Sequence, residues 1–178
     1  MKLYMFQCGI IKTQKHLITM GRGIGQPFDI PVPFFLIAHP KGNVLFDTGN
    51  ALAVAHDKVK HWGANVMANY DPIMDKDDYD VFGDGKLQIV FTPGHSPGHQ
   101  SLLVNLKKWG STMLTGDSVY TEEILKEDVL PGLVHSPTDA VQSIRKTRDL
   151  QQVKGVRIIA GHDPVAWAKF KLAPAYYE

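Results

Sequence analysis

Thr92-Pro93-Gly94-His95-Ser96-Pro97-Gly98-His99-Gln100-Ser101 lies between two runs of strand-like sequence. Two prolines and two glycines restrict its backbone to a tight, irregular loop at a strand end. A histidine stands on either side of that loop, an arrangement that holds imidazoles rigidly in a cleft. Histidines in such a loop also serve simply to satisfy backbone carbonyls, so the stretch must be weighed with its surroundings.

Two further strands end on ionisable residues. Leu114-Thr115-Gly116-Asp117-Ser118-Val119-Tyr120 is an apolar strand that closes on a carboxylate, and Ile158-Ile159-Ala160-Gly161-His162-Asp163-Pro164 closes on a histidine. One strand-end aspartate is commonly a turn residue. Three strands that each deliver a His or Asp at their ends are harder to assign to turns alone. Those residue types suit zinc or a similar divalent ion.

Around these ends, Lys86–Thr92, Gln100–Leu106 and Ser111–Thr115 alternate as strands, and Val156–Ala160 is a short β-branched strand. Apolar residues at helical spacing predict a helix over Thr138–Gln152, opened by Ser136-Pro137, and Pro164 suits the first turn of a last helix. In the first half, Leu3–Phe6 reads as a strand. Phe34–Ala38 and Val44–Asp47 read as a hairpin about a turn at Pro40–Asn43, followed by a short helix over Ala51–Lys60. The three glycines of GRGIGQ have no helical run after them, so a surface loop explains them better than a nucleotide site. The class is α/β or α+β, with a mainly antiparallel sheet.

The 178 residues suit one domain, 1–178. Hydrophobic residues make up 44% and charged residues 21%, a globular balance. A net charge of +1 gives no reason to expect nucleic acid or an anionic membrane as partner. The apolar run Pro31–Ala38 is too short to span a bilayer, and no signal peptide is read. Cys8 is the single cysteine, which excludes an intrachain disulfide and makes the cytoplasm the expected location. Its alternating apolar surroundings predict a buried, inert thiol.

TPGHSPGHQS, LTGDSVY and AGHDPVAW resemble the second half of the N-acyl-homoserine lactonases, within the metallo-β-lactamase superfamily. LFDTGN and HWGANV resemble its first half. The resemblance implies a metallo-β-lactamase-like αβ/βα sandwich that opens the lactone ring of quorum signals with two divalent ions, zinc or similar. It makes His95 and His162 metal ligands and Asp117 the carboxylate shared between the ions. It also directs Tyr120 at the lactone, so that Tyr120 and Asp117 are the catalytic candidates. His99 matches a loop histidine that is not usually a ligand.

The family's His-x-His-x-Asp-His motif is absent, because no two of the eight histidines stand two apart. The acidic stretch around Asp75–Asp80 is the expected place of an internal deletion, between about 70 and 80. What remains offers each ion one histidine and a share of Asp117, short of the roughly three protein ligands a catalytic zinc takes. One ion or none is then expected. Three arrangements stay open: His95, Asp117 and His162 converging on one ion, substitution by His56, Asp57 or His61, or ligands from a second copy in a homodimer. Three functions follow, namely a lactonase, a non-catalytic remnant of that family, and a hydrolase of another ester or thioester. Met20, Phe34 and Phe35 are candidates for an acyl pocket, with core packing as the default for them.

Overall fold

In the computed structural model, residues 1–47 and 78–178 are described. The expected helix over 51–60, the HWGANV stretch, His56, Asp57 and His61, and most of the deletion region lie outside the described residues.

The first strand, β1 (Lys2–Gln14), is far longer than Leu3–Phe6. It pairs antiparallel with β2 (Pro27–His39), from Lys2 opposite Ala38 out to Gln14 opposite Pro27. The short helix α1 (Lys15–Ile18) and a glycine-rich turn join the two. Pro27, Pro31 and Pro33 all fall inside β2. Strand β3 (Gly42–Phe46) pairs only with Phe35–His39. Among the described residues, the segment carrying Pro31 and Pro33 is therefore paired on one side, where a missing N–H is tolerated.

The second sheet has the order β4 (Tyr79–Asp80), β5 (Leu87–Phe91), β6 (Gln100–Leu106), β7 (Gly110–Leu114), β8 (Arg157–Ile159). All its pairs are antiparallel except β7 with β8. A parallel neighbour requires a crossover. Helices α2 (Glu122–Glu127) and α3 (Pro137–Lys154) occupy that connection. Ser136 caps α3 by accepting from the Asp139 N–H at 3.3 Å, Pro137 opens its first turn, and Gly155 ends it in the left-handed region.

Side chains on a strand alternate between faces, and the second sheet is apolar on both. Leu87, Leu102, Val104, Leu114 and Ile159 point at the first sheet and meet its Leu3, Met5, Phe35 and Ile37. Their neighbours Val90, Met113 and Ile158 point the other way, toward Ile124 and Leu125 of α2 and Ile144 of α3. The result is two sheets face to face with helices on the outer face of the second. Helix α4 (Pro164–Trp167) then inserts Trp167 into the space between the sheets, its ring N–H donating to the Ala160 carbonyl at 3.1 Å.

Cys8 departs from expectation: it is exposed, with its thiol donating to the Val32 carbonyl at 3.3 Å. The register of β1 slips between Gln7 and Gly9. A bulge breaks the alternation on which the buried reading rested. Among the described residues no helix is long and apolar enough to cross a membrane.

Candidate metal centre

The loop after β5 is docked onto the start of α3. The Gly94 carbonyl accepts from the N–H groups of His135 and Ser136, at 2.8 and 3.0 Å, and the Ser143 hydroxyl donates to the Pro93 carbonyl at 2.6 Å. A Cβ on Gly94, whose φ is +138°, would lie 2.6 Å from the Ala140 backbone, so only glycine permits this approach. His95 is thereby held over the strand ends. After β7, the Thr115 hydroxyl donates within a cluster of carbonyls, with Val119 at 3.0 Å and Ile159 at 3.1 Å. The chain then makes one 3-10 turn, Gly116–Ser118, which presents Asp117. Beyond β8, the N–H groups of Gly161 and His162 donate to Val119 and Tyr120, and Asp163 caps α4 while accepting from the Glu122 N–H.

These three strand ends bring together the residues that the sequence picks out. The Asp117 carboxylate lies between two imidazoles, with Oδ1 2.7 Å from His162 Nε2 and Oδ2 3.2 Å from His95 Nε2. His162 Nδ1 donates to the Pro31 carbonyl at 2.8 Å, which fixes the ring and aims Nε2 at the carboxylate. His95 Nδ1 meets the Tyr120 hydroxyl at 2.9 Å. Tyr120 is buried, and its hydroxyl is also 3.4 Å from the Leu133 carbonyl.

Charge and burial oppose each other here. Burial alone would raise the Asp117 pKa, but the hydrogen bond and charge of His162, with His95 and His99 behind, outweigh it and hold the carboxyl below its usual range. For His162, burial favours the neutral ring, yet the Asp117 carboxylate and the Pro31 carbonyl together raise its pKa. Burial and the Asp117 charge both push the Tyr120 phenol upward, so it stays protonated. His99 goes the other way: burial carries it down to about 4 against the attraction of Asp117, and it is neutral near pH 7.

Several contributors were not singled out in the sequence. Thr92, Ser101, Thr115 and Ser118 form a buried hydroxyl and carbonyl network under the Asp117 turn. Pro31 is 131 positions away from His162, and no local signal links them. Asp47, at a φ of +52°, lines a cavity of about 220 Å³ with Phe46, His99, Gln100, Gly116 and Asp117, and its charge helps raise the His162 pKa. Of the acyl-pocket candidates, Phe35 is core, Phe34 stacks on Phe6 at 4.5 Å, and Met20 is exposed.

A carboxylate between two oriented imidazoles at strand ends is a donor set for divalent metal ions. It fits a metal site in kind but not in number. Each Asp117 oxygen has one imidazole beside it, and among the described residues no group of three or more His, Cys, Asp or Glu side chains is arranged to hold an ion.

The family model of the metallo-beta-lactamase superfamily matches residues 55–162. An N-acyl homoserine lactonase, AttM, from Azorhizobium caulinodans is 34% identical over 260 aligned positions, covering 99% of this chain and 98% of its own. The structure of an N-acyl homoserine lactone hydrolase with product bound at its catalytic metal centre superposes with a TM-score of 0.82 at 20% identity, over 98% of each chain. That of AidC, a dizinc quorum-quenching lactonase, gives 0.61 at 12% identity, over 98% of this chain and 92% of the other. The chain belongs to the metallo-β-lactamase superfamily and, within it, to the family of the N-acyl homoserine lactonases. The expected αβ/βα fold is the fold of these structures.

Proposed function

We propose that this protein is a metal-dependent hydrolase that opens the lactone ring of N-acyl-homoserine lactones and so degrades quorum signals. The observation that carries the reading is the Asp117 carboxylate seated between His95 Nε2 and His162 Nε2, on a chain 34% identical to such a lactonase. In it, His95, Asp117 and His162 would each contribute a ligand to divalent metal, zinc or similar, and further ligands would be needed to complete the site. A bound ion of this kind supplies a Lewis acid and a water acidic enough to act near neutral pH. The chain's own groups orient the site: Pro31 fixes the ring of His162 so that Nε2 meets Asp117, and Tyr120 keeps a protonated phenol beside His95. That phenol is the group we direct at the charge developing on the lactone carbonyl. A cytoplasmic location and a homodimeric state belong to the same reading, and gel filtration tests the second.

A second reading, a chain that keeps the fold and half a metal site without turnover, is favoured by one comparison. The AttM alignment runs over 260 positions while the chain has 178 residues, so the relative carries residues that this chain lacks. We place the loss between about 70 and 80, where the His-x-His-x-Asp-His motif is expected.

Elemental analysis after zinc and cobalt loading, paired with a proton-release assay on N-hexanoyl-homoserine lactone and on a thioester, tests both. Close to two ions per chain, with lactone opening abolished by His95→Ala and His162→Ala, supports the lactonase. Thioester cleavage without lactone opening supports the other hydrolase. Retained fold without metal or turnover overturns the lactonase and leaves the remnant.

A further inference from the structure

His99, the second histidine of the Thr92–Ser101 loop, meets the main chain of Asp117, and its contacts are directional. Its Nε2 is 3.0 Å from the main-chain nitrogen of Asp117. A backbone N–H only donates, so Nε2 is the acceptor and carries no proton. Its Nδ1 is 3.1 Å from the Thr92 carbonyl, which only accepts, so Nδ1 carries the proton. Two separate contacts thus define the same tautomer of a neutral ring. The Thr92 hydroxyl, also 3.1 Å from Nδ1, continues to Ser101 at 2.8 Å and from there to Ser118 at 3.2 Å. Ser118 is the last residue of the turn that carries Asp117.

The fit is steric as well as polar. Gly116 has a φ of +52°, and a Cβ there would lie 3.1 Å from His99 Nε2. The ring therefore closes against bare backbone at the start of the turn. A turn of three residues has little hydrogen bonding of its own, and its central N–H needs a partner once it is removed from water. We propose that His99 is a positioning residue for Asp117: locked as the Nδ1–H tautomer, it holds the Asp117 main-chain N–H and so sets the carboxylate between His95 and His162. Its hold on Asp117 is through the main chain. The inference rests on Asp117 being the central carboxylate of the site proposed above, but its readouts require neither bound metal nor turnover.

The test uses the whole metal-free chain, labelled with ¹⁵N. Long-range ¹H–¹⁵N spectra of the wild type are expected to show His99 protonated at Nδ1, with the Asp117 amide protected from exchange. In His99→Gln the side-chain carbonyl reaches the Nε2 position and accepts the same N–H. In His99→Phe the ring shape is kept and the acceptor is lost. His99→Phe is expected to speed Asp117 amide exchange about tenfold, the factor for one lost hydrogen bond, and to shift the ring ¹⁵N signals of His162. Amides of Leu102 and Val104 in β6 should keep their protection, and His99→Gln should restore the wild-type pattern. An Nε2–H tautomer, an unprotected Asp117 amide in the wild type, or equal behaviour of the two variants overturns the proposal. Should His99→Phe fail to fold, the wild-type tautomer and the protection of the Asp117 amide in His99→Gln decide it alone. Absence of lactone turnover in the wild type, with these changes observed, would count against the function proposed above and leave the role of His99 standing.

Discussion

Gly161 and Gly116 meet backbone to backbone: a Cβ on Gly161 would lie 2.3 Å from the Gly116 carbonyl oxygen. The contact presses the turn that carries Asp117 against the strand end that carries His162. Gly161→Ala must push the two apart, since the atoms it would meet are backbone and not the end of a flexible side chain. Such overpacking costs about 2 kcal/mol. Urea denaturation should show a lower midpoint at unchanged slope, and the ring ¹⁵N signals of His162 should move as its 2.7 Å contact with Asp117 opens. An unchanged midpoint would mean that the two loops are not in contact in solution.

Phe34 and Phe35 are adjacent but face opposite ways. Phe35 is 2% exposed and packs between the sheets, 5.8 Å from the Trp167 ring, whereas Phe34 lies on the outer face and stacks on Phe6. Phe35→Ala is expected to cost roughly 3–5 kcal/mol, a large share of the total stability of a domain. Phe34→Ala should cost clearly less. Equal losses in denaturant titrations of the two variants would contradict the register of β1 with β2.

Ser101 is fully buried and its hydroxyl joins Thr92, Ser118 and the Thr115 carbonyl. Ser101→Ala leaves those partners without water to replace it, at a cost of about 1–3 kcal/mol. The same change at Ser111, half-buried at the end of β7 with a single bond to Asn105, should fall below it. Thermal or urea unfolding of the pair checks the order.

Asp80 organises the loop between β4 and β5. Its carboxylate accepts from the N–H of Gly85 at 2.7 Å, which is the main cause of its lowered pKa, with Gly83 and Phe82 adding to it. The folded state therefore favours the ionised form. Stability from this group is present above its unfolded pKa of about 3.9 and is lost as pH falls through the lower folded value. Asp80→Asn should be less stable than wild type at pH 7, and the gap should shrink as the pH falls from the unfolded value of about 3.9 through the lower folded one. A gap independent of pH would show that the carboxylate's charge contributes nothing to the loop.

Much of the second half is legible residue by residue. The alternation in Lys86–Thr92, Gln100–Leu106 and Ser111–Thr115 and the helical spacing in Thr138–Gln152 correspond to β5, β6, β7 and α3 within one or two residues. The first half is read less well. Prolines at 27, 31 and 33 signal a loop locally, yet long-range pairing with β1 extends them into a strand. Cys8 sits in an apolar pattern but at a bulge, and a bulge depends on the partner strand.

The sequence by itself determined which ionisable side chains the strand ends carry, His95, Asp117 and His162, and through its motifs the family to which the chain belongs. Those features are local: a residue type, a Gly/Pro turn and the end of an alternating run. Only the tertiary structure decided how the donors meet, with one carboxylate oxygen to each histidine, Pro31 behind His162 and His99 beneath the Asp117 turn. Each of those contacts joins separate segments of the chain. Their geometry comes from packing two sheets and the helices against one another, which no single stretch of sequence contains.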